Sequence, residues 1–212
     1  MKRLRTIAIV FSIAVFLTGC RSDEKHTADI HKTMDESAQF ENDFYVNLTN
    51  LSQTRQNAQL IYLDLIKLDI NNQDIIKQKI DKAKTYSQKQ EQLLEEATEN
   101  SEKAYMKSAS IDKKIKKIKD KDQKKQAEKL ITIMNERKKL IDSFFEHYDK
   151  NLTLQNSFYR QLEDGKYSLV KLNEQINEIN KLSGDMGEII QQFNQYTEQY
   201  VKVENEFYQM NS

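Results

Sequence analysis

The 212-residue sequence contains no proline and no tryptophan, only four glycines and a single cysteine. Proline and glycine punctuate turns, so their scarcity excludes a loop-rich α/β enzyme, a β-sandwich and a proline-rich or collagen-like chain. One cysteine, Cys20, excludes an internal disulfide and any zinc site built on several thiolates. Net charge is missing too: 33 basic residues balance 33 acidic ones, although 31% of residues are charged and only 38% hydrophobic. Disordered chains usually pair low apolar content with a large net charge, so long amphipathic helices become the class to test against periodicity. The length sets a limit of one domain.

The chain has one long hydrophobic run, at its start. Lys2, Arg3 and Arg5 precede the apolar stretch from Ile7 to Leu17, and small residues follow up to Cys20. That order is a signal peptide. As a helix the run measures roughly 18 Å, against roughly 30 Å of bilayer hydrocarbon, which argues against a permanent span. Leu17, Thr18, Gly19 and Cys20 resemble the bacterial lipobox. The resemblance implies a diacylglyceryl group on the Cys20 sulfur as the only attached group, cleavage just before it, and anchoring at the extracytoplasmic face of the cell membrane by the acyl chains. The expected organisation is a removed signal peptide (1–19), a lipidated cysteine with a polar tether (20–28) and a single helical bundle domain (29–210). Cleavage leaves 30 basic residues against 33 acidic ones, a formal charge of −3, so no nucleic acid partner is expected.

Beyond the tether the apolar residues keep a three-four rhythm. The first stripe runs through Ile30, Met34, Phe44, Leu48, Leu51, Ala58, Tyr62 and Leu65, broken by Ser37, Glu41 and Arg55. Such spacing lines one face of a helix and does not suit a strand. Asn71 and Asn72 supply turn chemistry, and Asp74 sits where a carboxylate favours the positive end of a helix, so a second helix begins near Gln73. Its stripe of Ile76, Ile80, Ala83, Tyr86, Leu93, Leu94, Ala97 and Ala104 uses smaller residues, interrupted by Gln90 and Asn100. Between residues 107 and 122 the boundary stays open. Ser108 or Ser110 suits as a cap for a helix from Ile111, and Asp120 or Asp122 suits equally as a later start.

From Ala127 the stripe continues through Leu130, Met134, Ile141, Phe144, Tyr148, Phe158 and Leu162, with Arg137, Asn151 and Gln155 as polar breaks, and stops at Asp164 and Gly165. Glycine just past the last periodic residue is the usual left-handed cap. The last stripe is Leu169, Leu172, Ile176, Ile179, Met186, Ile190, Phe193, Tyr200 and Phe207, broken by Ser183, Thr197 and Glu204. Gly184 and Gly187 lie inside it and mark a kink or a close helix approach, of which close packing is the simpler expectation. Short turns between long helices force antiparallel neighbours. The fold expected is all-α, an elongated antiparallel bundle of about four long helices with coiled-coil-like seams.

Three features together resemble a known family: the lipobox from Leu17 to Cys20, the Lys-rich helical stretch KKIKDKDQKKQAEKL, and the closing run FNQYTEQYVKVENEFYQ from Phe193 to Gln209. The chain looks like the YkyA-like cell-wall-binding lipoproteins of low-GC Gram-positive bacteria. The resemblance implies a lipid-anchored, all-α, extracytoplasmic protein, and it brings no catalytic residues.

Motifs for chemistry are scarce. The sequence has no Gly-rich phosphate loop, no Cys-x-x-Cys and no His-Glu-x-x-His. His26 and His31 are five apart and read as solvated residues, and His147 among Phe144, Phe145 and Tyr148 reads as a satisfied, partly buried histidine. No catalytic residue, metal site or enzyme activity is expected.

One cluster rises above this background. Between Ile111 and Lys129 stand Lys113, Lys114, Lys116, Lys117, Lys119, Lys121, Lys124, Lys125 and Lys129 against Asp112, Asp120, Asp122 and Glu128, a local charge of +5. Such a zone either solvates an exposed helix or meets a polyanion such as teichoic-acid phosphate or anionic lipid. The candidate binding residues are Lys113, Lys114, Lys116, Lys117, Lys121, Lys124 and Lys125. The aromatic stripe of Tyr196, Tyr200, Phe207 and Tyr208 reads first as core packing and second as a sugar-stacking surface. The functions left open are a membrane-anchored module that binds wall polymer, teichoic acid or peptidoglycan, and a scaffold or regulator that presents a helix face to another envelope protein.

Overall fold

The computed structural model describes residues 7–68, 72–165 and 167–210, with side chains from Asp23 onward. Four long helices, α1 (Ile7–Leu65), α2 (Gln73–Ala109), α4 (Lys121–Asp164) and α5 (Leu169–Gln209), and one short turn of helix, α3 (Asp112–Ile115), make up the described structure. The protein is an all-α bundle, as its periodicity predicts. The lipobox side chains of Leu17, Thr18, Gly19 and Cys20, and the turn residue Asn71, lie outside the described residues.

Local chemistry accounts for the helix ends. Asp74 sits in the first turn of α2 and Lys107 in its last, each opposite in sign to the dipole end it faces. At α4 the Oδ1 of Asp120 accepts the Asp122 and Gln123 amides at 3.0 and 2.9 Å, so Asp120 is the cap among the four candidates. Ser110 instead donates to the Lys107 carbonyl at 2.6 Å and closes the end of α2. Gly165 follows α4 at φ 63°, the left-handed conformation that glycine adopts without a Cβ clash.

Contacts group the chain into two compact units, where the sequence suggests one domain over 29–210. In the first, built from residues up to Gln39, Lys103–Arg137 and residues from Tyr196, an apolar cluster joins Ile30 and Met34 of α1 to Ile111, Ile115, Ile118, Leu130, Met134 and Phe207. The second, Phe40–Glu102 with Lys138–Gln195, holds two clusters. One centres on Phe44, Phe145 and Phe193, whose rings meet edge to face. The other contains Tyr62, Ile80, Phe158, Tyr159 and Ile179.

The seams are longer and more polar than the apolar residues alone suggest. On α1 the buried positions Asp23, Thr27, Ile30, Met34 and Ser37 keep the three-four rhythm, so residues 23–28, read from sequence as tether, belong to the helix, with Asp23 and Thr27 on its inner face. On α2 the same rhythm runs unbroken through Ile76, Ile80, Ala83, Ser87, Gln90, Leu94, Ala97, Ser101, Ala104 and Ser108, then on to Ile111, Ile115 and Ile118. Ser37 donates to the Ala104 carbonyl at 2.9 Å and shares a 2.6 Å hydrogen bond with Ser108, so small hydroxyl residues let α1 and α2 approach closely while satisfying each other. Leu169, expected on the last seam, is 67% exposed at the first turn of α5. Close packing is not the reason for Gly184 and Gly187. Both are exposed, and a Cβ on either would meet nothing within 4 Å.

Candidate functional site

The lysine-rich segment lies in the first unit, between the end of α2 and the start of α4. Ile111, Ile115 and Ile118 point into the core at four- and three-residue spacing, which turns the intervening lysines outward. Lys113, Lys116, Lys117, Lys119, Lys121, Lys125 and Lys129 are exposed, and Lys114 and Lys124 are half-buried.

α1 holds this segment in place at two points. The Asp23 carboxylate accepts the Lys119 amide at 3.1 Å on both oxygens and the Asp120 amide at 2.9 Å. A buried carboxylate that takes backbone N–H groups of an irregular turn satisfies donors no helix would satisfy. Two to three turns further along α1, Lys114 reaches back to donate to the Asp29 carbonyl at 2.8 Å and to Thr33 Oγ1 at 2.6 Å. Lys114 therefore works as a strut. Lys116, just past the end of α3, pairs with Asp112 at 2.5 Å. Among the described residues no ion pair involves Lys113, Lys117, Lys121, Lys124 or Lys125, which leaves their charge open to solvent.

The Glu36 carboxyl is held below the usual carboxylate range chiefly by its hydrogen bond from Lys107, with Lys32 and Lys114 acting in the same direction. Beside the lysines an open depression of about 630 Å³ is lined by charged and polar residues of both signs, Asp122, Lys125, Gln126, Glu128, Lys129 and Thr132, together with Met210.

The aromatic residues of α5 are elsewhere engaged. Tyr200 and Phe207 are buried in the first unit's core, and Tyr196 and Tyr208 pack against it, so the stripe is core rather than an open sugar platform. His31, read from sequence as solvated, is half-buried with its ring 5.3 Å from that of Phe207 and 4.2 Å from that of Tyr208. Burial lowers its pKa, against an opposing pull from Asp35. His147 is satisfied as expected, its Nδ1 2.7 Å from the Ser143 carbonyl. Among the described residues no group of three or more His, Cys, Asp or Glu side chains is placed to hold a metal ion, and no helix is long and apolar enough to cross a membrane.

Sequence reasoning missed Asp23, the residue that fixes the site. The signal was present in the spacing Asp23, Thr27, Ile30, Met34, which continues the α1 seam outward through two polar positions.

With this architecture in view, relatives are informative. Residues 25–210 match the family described as "YkyA: Putative cell-wall binding lipoprotein". The chain belongs to the YkyA family. A Bacillus subtilis member, named "Uncharacterized lipoprotein YkyA", is 24% identical over 197 residues, which cover 93% of this chain and 88% of that protein. A crystal structure of a conserved Staphylococcus aureus protein of unknown function superposes with a TM-score of 0.60 over 87% of this chain and 93% of that one. At 14% identity this second likeness speaks for the fold alone. The YkyA match covers the helical body, including Asp29, Thr33 and the whole lysine segment, and begins two residues after Asp23.

Proposed function

We propose that the protein is a non-catalytic YkyA-family lipoprotein, held at the extracytoplasmic face of the cell membrane by a diacylglyceryl group on Cys20, whose lysine-bearing segment binds phosphate-rich polyanion of the cell envelope. The observation that carries the binding half is the exposed row of Lys113, Lys117, Lys121 and Lys125, with half-buried Lys124 beside it, free of ion pairs among the described residues on a segment pinned from α1. Rigid presentation matters, because lysines fixed on a folded turn lose less conformational freedom on docking than lysines on a loose chain. The family description supports the wall-associated, lipid-anchored half. The depression beside the lysines is open, which suits docking of an extended polymer better than enclosure of a small substrate.

Two measurements test this reading. Cys20→Ala should leave an uncleaved or released form in place of a membrane-bound one, and membrane retention and processing equal to the parent would refute the anchor. Purified wall carrying teichoic acid should retain the protein in low salt and lose it on raising salt, because lysine–phosphate docking releases counterions. Salt-insensitive retention would point instead to a protein partner on an apolar helix face.

A further inference from the structure

From the hydrogen bonds of Asp23 we infer that the lysine segment is the membrane-facing part of the first unit, and that the phosphates it meets are the anionic headgroups of the leaflet holding the anchor. The inference rests on the acylation of Cys20 proposed above and narrows the ligand of the same site.

The geometry is simple. Cys20 stands three residues before Asp23. Three residues span about 11 Å when fully extended and about 4.5 Å as helix, so the Asp23 carboxylate lies close to the acylated residue in either conformation. That carboxylate is bonded to the amides of Lys119 and Asp120, at the centre of the lysine run. An acyl anchor seats Cys20 at the headgroup layer, so the Lys119–Asp120 turn sits within one to two Debye lengths of it, where surface charge is still felt. The exposed Lys113, Lys117, Lys121 and Lys125 flank this turn on both sides. Their charge matches an anionic leaflet, and juxtamembrane basic clusters are drawn to such surfaces by this attraction. A wall polymer that reached the same lysines would have to approach within the headgroup layer.

A consequence follows for the whole attachment. Two points, the acyl chains and the lysines, would hold the same end of the first unit, so the lysines orient the anchored end as well as adding to its affinity.

The test separates the acyl chains from the lysines. The mature chain from residue 20 with Cys20→Ser is mixed with vesicles of phosphatidylcholine alone, with vesicles containing about 30% phosphatidylglycerol, and with teichoic-acid-bearing wall free of membrane. Flotation with the phosphatidylglycerol vesicles and not with phosphatidylcholine alone, about tenfold weaker at about 200 mM than at about 50 mM salt, is the expected result, whether or not the membrane-free wall also retains the protein. A variant with Lys113, Lys117, Lys121 and Lys125 all changed to Gln should lose this binding, whereas one with the exposed Lys77, Lys82, Lys89 and Lys171 changed to Gln should keep it. Circular dichroism checks that both remain helical. Binding to wall without binding to anionic vesicles would overturn the membrane inference and leave the polyanion reading standing. Binding to neither would overturn both, and equal vesicle binding by the two variants would show that the lysine segment is not the contact.

Discussion

Arg137 and Tyr200 form a buried pair in the first unit, with the guanidinium carbon 4.8 Å from the centre of the tyrosine ring. Arg137 is 6% exposed and its Nε donates to Thr197 Oγ1 at 3.2 Å. In sequence these residues are a polar break on one stripe, an aromatic on another and a polar break beside it. Packing turns them into a single contact: the charge stacks on an electron-rich face and the threonine accepts a hydrogen bond.

A double-mutant cycle should measure the coupling. Arg137→Met and Tyr200→Leu each keep an apolar chain at the site, and thermal or urea unfolding of the singles and the double should give a coupling of about 0.5–2 kcal/mol. Additive effects would mean that the ring and the guanidinium are neighbours without an energetic link.

The Tyr148–Gln90 pair tests the other polar layer, in the second unit. Tyr148 donates to Gln90 Oε1 at 2.7 Å with both residues buried, and Arg55 lies over the Tyr148 ring at 5.6 Å. Gln90→Leu strands the hydroxyl and should cost about 1–3 kcal/mol, and adding Tyr148→Phe should recover part of that loss, because a missing partner costs more than a missing pair. A double variant less stable than Gln90→Leu would contradict this.

Gly184 and Gly187 give a prediction of opposite sign. Each lies within α5, is exposed, and has open space where a Cβ would stand. Alanine at either position should raise stability by about 1 kcal/mol through helix propensity alone. A loss of stability in the Ala variants would show that the backbone there needs glycine's freedom.

These pairs also show what a reader of the sequence can and cannot see. The large apolar residues Ile30, Phe44, Tyr62, Ile80, Leu130, Phe158, Ile179 and Phe207 are legible because a three-four rhythm of bulky side chains has one stable arrangement, the inside of a bundle. Ser87, Ser101 and Ser108 keep the same rhythm but escape notice, since a small hydroxyl fits a seam or a surface equally well. Arg55, Arg137, Asn151 and Gln155 read as breaks because periodicity counts apolar residues and cannot show that a polar one has a partner on another helix. Asn151, for example, donates to the Ile179 carbonyl at 2.9 Å and accepts from Gln155 at 2.6 Å. The candidate site divides in the same way. Its lysines are visible as a charge run, whereas the Asp23 contact that positions them joins residues 96 and 97 apart in sequence. Leu169 fails for a local reason: it stands in the first turn of α5, where among the described residues it stays exposed.

The last prediction concerns acidity and His31. Burial against Phe207 and Tyr208 holds its pKa below 6.5, so the folded protein prefers the neutral imidazole. The groups around it are Asp35 one turn along α1, whose charge partly offsets the shift, and Tyr208 of α5, whose hydroxyl is pushed up by burial and by Glu204 and Asp35. Because the folded value is the lower one, the unfolded chain takes up the proton first as pH falls. The stability from neutral His31 is fully present above 6.5 and is lost as pH drops from there through the folded value. His31→Gln removes this term and keeps a polar side chain at the edge of the aromatic pair. Melting temperatures of the parent should fall more than those of His31→Gln between about pH 7 and pH 5.5, a range above the ordinary titration of carboxylates. His31 is only half-buried, so solvent screening keeps the difference small and it must be read as a difference between two curves. Parallel curves would mean that water reaches the imidazole well enough to hydrate its charged form, and that the contact with Tyr208 is packing alone.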